Sequence, residues 1–75
     1  MGTLKRFGRL RVFMLPGDHE PAHVHVSGPN GDVSVTLKSL SVCGSPAAIR
    51  EAAAALDWIA ENRDELIEAW KELQR

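Results

Sequence analysis

Apolar and polar residues alternate along three short segments in the first 40 residues, and this pattern constrains the fold more than any other feature. The segments are RLRVFML at 9–15, AHVHVSG at 22–28 and VSVTLKSL at 33–40. A period of two is typical of strands with one buried side and one side in water. The turn-forming sequence GPNGD precedes the third segment and predicts a hairpin between the second and third strands. Residues 40–43 form either a fourth strand or a connection.

The second half of the chain is rich in alanine and has the spacing of a helix. Ser45 and Pro46 form a good helix start, because serine caps the first turn and proline at the first helical position loses no hydrogen bond. Asn62, with Glu65 three residues later, has the pattern of a capping box, so the helix either kinks there or ends and starts again. Apolar residues at three- and four-residue spacing predict one stripe facing the sheet. The stripe comprises Ile49, Ala52, Ala53, Leu56, Ile59, Ala60, Leu66, Ala69, Trp70 and Leu73.

These patterns predict an α+β fold with a three- or four-stranded antiparallel sheet. A C-terminal helix, either one kinked helix or two consecutive helices, packs on one face of the sheet. A chain of 75 residues is expected to form a single domain over residues 1–75. Trp70 is expected in the core and Cys43 as a buried packing residue. Trp58 is either half-buried at the end of the sheet or an anchor for a partner.

Cysteine content and hydropathy indicate the cellular compartment in which the protein is expected. One cysteine cannot form an internal disulfide, which favours a reducing environment. The basic N-terminal residues are not followed by the apolar region of an export signal. No run of about 18 apolar residues occurs either. We therefore expect a cytoplasmic protein without a membrane-spanning segment.

The sheet side opposite the apolar residues is expected to face water and to carry the function. All three histidines lie within positions 19–25, and His23 and His25 project from the same side of the second strand, about 7 Å apart. The other residues expected on this face are Arg9, Arg11, Phe13, Ser34, Thr36 and Lys38. The first 25 residues carry four basic and two acidic side chains, whereas the helical half is acidic. A basic, histidine-rich face therefore contrasts with an acidic helix.

One hypothesis for this face is a divalent metal site. His23 and His25 would be neighbouring ligands, and His19 or Asp18 would fold back from the preceding loop as the third. Imidazole and carboxylate are ligands that suit zinc and related ions. Glu20 lies on the same loop, where the sequence does not fix its position.

Three other hypotheses use the same residues without a metal. In the first, His19, His23 and His25 exchange protons during RNA cleavage while Arg9 or Arg11 holds the phosphate, as in metal-independent ribonucleases. In the second, the face only binds. Its binding residues are Arg9, Arg11, Phe13, Asp18 and Lys38, with the arginines on phosphates and the ring on a base. In the third, the histidines are structural and the Asp18 carboxylate orders the loop.

Two segments, FGRLRVFMLPGDHEPAHVHV at 7–26 and ENRDELIEAWKEL at 61–73, resemble the bacterial family known as domain of unknown function 4160. The most specific part is Asp18-His19, Pro21 and the run 23–26. The resemblance implies a toxin–antitoxin context, because members are often encoded beside a second small family, but it implies no settled activity. Ala22 stands where many members have a second proline. Phe13 stands where they often have tyrosine, which counts against a mechanism that needs a phenolic hydroxyl there.

We therefore expect a small toxin–antitoxin-like component that engages RNA or an antitoxin-like protein partner through the histidine- and arginine-rich face. This function requires no cofactor. The first alternative is a non-enzymatic module that binds a divalent metal such as zinc. The second is a plain interaction domain whose histidines are structural.

Overall fold

Five strands and three helices make up the fold of residues 3–75, which a computed structural model describes. In chain order they are β1 (Thr3–Phe7), β2 (Leu10–Phe13), β3 (His23–Gly28), β4 (Gly31–Thr36), β5 (Ser41–Cys43), α1 (Pro46–Glu51), α2 (Ala53–Glu61) and α3 (Arg63–Leu73). The strands form one antiparallel sheet in the order β1-β2-β3-β4-β5, so each pairs with its neighbours in sequence. The α+β class is confirmed. The predicted number of strands was too low.

The additional strand is β1, which precedes the first predicted strand. Its residues are mostly exposed, and its pairing with β2 shifts in register between Thr3 and Lys5, so its sequence carries no clear alternation. Gly8, whose φ is +59°, makes the tight turn into β2 together with Arg9. Arg9 therefore lies in this turn and not on the sheet face where it was predicted. By contrast, residues 41–43 do form a strand, one of the two alternatives for that segment.

The alternation in β2, β3 and β4 sets the core as predicted. Val24 and Val26 of β3 are completely or almost completely buried, and they pair with Val35 and Val33 of β4. The helices cover this side of the sheet. The buried residues form one hydrophobic cluster comprising Leu10, Val12, Met14, Val24, Val26, Val33, Val35, Leu37, Ala48, Ala52, Ala55, Ile59, Leu66 and Trp70.

The helical half breaks at two residues, Ala52 and Asn62. The start of α1 is as predicted, since Ala48 N–H donates to Ser45 Oγ at 3.2 Å and Pro46 is the first helical residue. The break at Asn62 is also one of the predicted alternatives, but the capping box is wrong. The Asn62 side chain makes no cap hydrogen bond with α3, and its Nδ2 instead donates to the Trp58 carbonyl at 2.9 Å. Within residues 3–75, no helix is both long and apolar enough to cross a bilayer.

The buried helical face differs from the predicted stripe by about one residue. Ala48 and Ala55 are buried, whereas Ala53, Ala60 and Ala69 are exposed. Small side chains let the helices approach the sheet closely, so the larger Ile49 and Leu56 lie at the border of the contact and only half-buried.

Two of the three predictions for single packing residues agree with the structure. Trp70 is in the core at 3% exposure. Trp58 is half-buried, with its ring centre 6.2 Å from that of Phe7, as the burial alternative predicted. Cys43 is exposed, so the prediction that it is buried is wrong. The reason is that β5 is a short edge strand whose three residues are all exposed.

Candidate functional site

β3 presents His23 and His25 on the sheet face opposite the core. His25 lies between Phe13 of β2 and Ser34 of β4, and His23 lies opposite Thr36. Because the intervening Val24 is fixed in the core, both imidazoles must project from the other side. This direction agrees with the prediction from sequence alternation.

The loop between β2 and β3 returns Asp18 to the two histidines. Asp18 Oδ2 lies 3.2 Å from His23 Nε2 and 3.2 Å from His25 Nε2. The three side chains are 17–24% exposed, so they are partly shielded and still reachable from solvent. We refer to these residues as the Asp18–His23–His25 cluster. Among residues 3–75, they form the group of three side chains whose nitrogen and oxygen atoms could hold a metal ion, since these atoms lie within 4.8 Å of one another.

His23 has its tautomer set by the backbone. Its Nδ1 is 2.8 Å from the Pro21 carbonyl oxygen, which can only accept a hydrogen bond, so Nδ1 carries the hydrogen. In a neutral ring, Nε2 then has a lone pair, and it faces a carboxylate oxygen that also only accepts. Two acceptors at 3.2 Å are favourable only with a cation or an additional proton between them. Metal-binding histidines are commonly oriented in this way, by donating their other ring N–H to a carbonyl.

His25 contacts an aromatic and cationic stack on its other side. Its ring lies 5.2 Å from the Phe13 ring, nearly parallel at 22°. The Arg11 guanidinium carbon is 4.3 Å from the centre of the same Phe13 ring. Arg11 Nε is buried and has no hydrogen-bond partner. The stack fixes the His25 ring plane and brings a cation to the same face as the cluster.

His19 is not part of the cluster. It is exposed, its ring centre is 6.4 Å from that of His23, and its Nδ1 donates to the neighbouring Glu20 carbonyl at 3.0 Å. The structure therefore brings Asp18, and not His19, next to His23 and His25; the sequence left the choice between these two neighbours open. The sequence pattern could not choose between Asp18 and His19, because side chains alternate between two sides in a strand but not in a loop.

The predicted binding residues divide into two groups. Arg11 and Phe13 lie beside the cluster, whereas Arg9 is in the β1–β2 turn and Lys38 is in the turn after β4. Sequence reasoning missed Arg6, which is paired with Arg11 across β1 and β2. A prediction of β1 as a strand paired with β2 would have placed Arg6 beside Arg11.

Gln74 holds the loop that carries Asp18, and sequence reasoning missed it as well. The Gly17 N–H donates to Gln74 Oε1 at 2.7 Å, and Gln74 Nε2 donates to the Leu15 carbonyl at 2.9 Å. A single amide side chain thus bonds two backbone groups immediately before Asp18. These contacts span 57 and 59 residues, and no local sequence signal marks them.

The two spacings between the Asp18 oxygen and the imidazole nitrogens suit a divalent ion. Two ligands about 2.1 Å from a metal are about 3.0 Å apart at a right angle and about 3.4 Å apart at the tetrahedral angle. Both distances from Asp18 Oδ2 to the imidazole nitrogens, at 3.2 Å, fall between these values. Two imidazoles and one carboxylate leave further coordination positions open.

The fold and the site together define a small α+β domain with two histidines and one carboxylate on the open face of a meander sheet. The chain belongs to the family described as domain of unknown function (DUF4160), which matches residues 10–71. The matched region includes the Asp18–His23–His25 cluster and excludes β1 and Gln74. No curated protein and no solved structure matches the chain.

Proposed function

We propose that the protein binds a divalent metal ion through Asp18, His23 and His25. The observation that carries this proposal is the convergence of two Nε2 atoms on one carboxylate oxygen, each at 3.2 Å. The Pro21 carbonyl supports it, because it keeps the lone pair of His23 directed at the same point. A cation at that point would remove the repulsion between His23 Nε2 and the carboxylate, and it would replace the hydrogen bond that His25 Nε2 can donate to the same oxygen.

Three protein ligands with an open position are typical of catalytic zinc sites, whereas structural zinc sites are closed by four. Partial exposure of all three side chains allows water or a ligand oxygen to complete the coordination. Zinc is the ion we propose first, because imidazole and carboxylate both suit it. An open position would let the ion polarise a bound oxygen.

The test is a zinc titration followed by NMR of the imidazole nitrogens in ¹⁵N-labelled protein. We expect saturation at one equivalent, with large shifts at Nε2 of His23 and His25 and little change at His19. His19→Ala is the matched control and should bind zinc like the wild type. His23→Ala should weaken binding more than about 10-fold. Unchanged imidazole signals, or a response of His19 alone, would reject the metal site.

A second candidate function is RNA engagement by a cytoplasmic, toxin–antitoxin-like component. The β1–β2 hairpin supports it, since Lys5, Arg6, Arg9 and Arg11 form no salt bridge within residues 3–75. Unpaired cations of this kind contact phosphates and account for most non-specific affinity for nucleic acids. Arg6 and Arg11, opposite each other across two strands, are the residues we propose for this contact.

RNA binding is tested by fluorescence anisotropy with a labelled single-stranded oligoribonucleotide. We expect affinity to fall with rising salt, and the double variant Arg6→Ala, Arg11→Ala to bind more than about 10-fold more weakly. Arg50→Ala, an exposed cation on α1, is the control and should bind normally. An RNA affinity that changes neither with salt concentration nor in the double variant would reject this candidate. In that case an antitoxin-like protein would remain as the proposed partner.

Cleavage of the same RNA separates the chemical hypotheses. Cleavage that persists with a chelator and disappears in His25→Ala would support metal-independent ribonuclease chemistry at the histidines. Cleavage that requires added metal would support the metal site instead. RNA that stays intact both with the chelator and with added metal would indicate that the protein binds without cleaving, as an interaction domain does.

A further inference from the structure

A groove of about 430 Å³ lies beside His23, between the β2–β3 loop and α3. Its apolar lining consists of Pro21, Ala22, Ile67 and Trp70. The groove adjoins the cluster through two contacts. Pro21 accepts the hydrogen bond of His23, and the Trp70 ring centre is 6.4 Å from that of His23. A ligand in the groove would therefore lie next to His23 without displacing this side chain from the cluster.

Three cations, Lys38, Arg63 and Lys71, also line the groove. This convergence is notable because the chain from residue 31 onward has five basic and eight acidic side chains. Three of the five basic residues thus point to one place in an acidic half of the chain. Glu20 is the acid among the lining residues.

Lys38 and Lys71 are largely available to a ligand, whereas one Nη of Arg63 already donates to the Lys38 carbonyl at 3.0 Å and leaves the other Nη for a ligand. Lys38 forms no salt bridge within residues 3–75. Lys71 is 3.5 Å from Glu68 and Arg63 is 3.6 Å from Asp64. Both pairs are solvent-exposed, and such pairs contribute little free energy that a ligand would have to overcome. The groove therefore combines an apolar wall with accessible positive charge.

We propose that this groove binds a nucleoside monophosphate, with its phosphate at Lys38, Arg63 and Lys71 and its base against the apolar wall. A phosphate fits three cations better than a singly charged carboxylate does, because it carries more charge and more acceptor oxygens. The volume lies within the usual range of small-ligand sites, about 300–1,000 Å³. The nucleotide is either free or the end of an RNA strand. The proposal deepens the RNA candidate and stands independently of metal binding.

Trp70 fluorescence provides the test, because the chain has two tryptophans and Trp58→Phe leaves Trp70 alone. Adenosine monophosphate titrated into this variant, with a chelator present, should give a saturable change in emission. The further variant Lys38→Ala, Lys71→Ala should bind more than about 10-fold more weakly. Arg50→Ala is the matched control and should bind like its parent. Should Trp58→Phe not fold, the indole N–H signal of Trp70 in the wild-type protein gives the same readout.

The outcomes distinguish a free nucleotide from the end of an RNA strand. They also distinguish a failure of the groove proposal from a failure of the metal proposal. Tighter binding of a 5′-phosphorylated oligoribonucleotide than of the monophosphate would support the end of a strand. The reverse order would support a free nucleotide. Inorganic phosphate that binds as tightly as the nucleotide would overturn the nucleotide proposal, and so would an absence of any saturable change. None of these results depends on metal, because the chelator removes it, and the zinc titration tests the cluster separately.

Discussion

Asp18 contributes one carboxylate oxygen that two imidazoles face, and the proposed metal site depends on its charge. His23 cannot donate to this oxygen as a neutral ring, because its hydrogen is on Nδ1 and bonded to Pro21. His25 can donate from Nε2 at 3.2 Å. The two histidines are thus not equivalent, although they occupy alternate positions on one strand. His23 is the proposed ligand whose ring the backbone orients in advance.

Replacing the carboxylate by an amide tests this interpretation at the residue scale. Asp18→Asn removes the negative charge while keeping the shape, so zinc affinity should fall more than about 10-fold. A competition assay with a chromophoric chelator measures the affinity. Asp32→Asn, which changes an exposed acid on β4, is the control and should leave zinc binding unchanged. Equal affinity in Asp18→Asn and the wild type would show that Asp18 is not a ligand.

At the scale of elements, the sheet was largely predictable and the loop was not. β3 and β4 follow from the alternation around Val24 and Val33, and a single turn sequence fixes their pairing. That pattern also gave the direction of His23 and His25. The choice of Asp18 over His19 depends on how the loop folds back, which no periodicity encodes. β1 was missed because an exposed edge strand needs no alternating apolar residues.

Gln74 should determine how well the loop presents Asp18. Gln74→Ala removes two hydrogen bonds, each contributing about 1 kcal/mol net, so the loop should become more mobile. Hydrogen exchange at the Gly17 amide should accelerate, and zinc affinity should decrease. Arg75→Gln, at the next position, is the control and should alter neither quantity. Normal exchange at Gly17 in Gln74→Ala would show that other contacts hold the loop.

The helix–sheet contact depends on alanines that the apolar stripe only partly identified. Ala55 is completely buried, and its neighbour Ala53 is exposed. Ala55→Leu should therefore destabilise the protein by about 1–3 kcal/mol through overpacking. Ala53→Leu adds the same atoms at an exposed position, so it should change the free energy of unfolding little. Urea denaturation compares the two, and equal free energies of unfolding would contradict the observed helix face.

At the scale of the whole molecule, the core is small, so a bound ion would contribute a large part of the free energy of unfolding. A protein of 75 residues has a modest buried core, and an ion that binds the folded state adds about 2.7 kcal/mol at 100 times its Kd. The proposed site joins β3 to the loop that α3 holds through Gln74. Metal binding should therefore stabilise the sheet, the loop and the last helix together.

The corresponding prediction concerns thermal unfolding. Zinc at 100 times its Kd should raise Tm by about 10 °C or more, since each kcal/mol shifts the Tm of a small domain by about 4–8 °C. A chelator should reverse the increase. At the same zinc concentration, His25→Ala should show a much smaller increase, because it keeps two of the three proposed ligands and binds zinc more weakly. An increase as large as that of the wild type in His25→Ala would mean that the ion binds elsewhere.

The most direct test of the metal site is a crystal structure of the zinc-loaded protein with data collected at the zinc absorption edge. We predict one anomalous peak about 2.0–2.2 Å from Asp18 Oδ2, His23 Nε2 and His25 Nε2. The Pro21 carbonyl should still accept the hydrogen bond from His23 Nδ1. A zinc-saturated crystal without a peak among these three atoms, or with its peak at His19, would contradict the account.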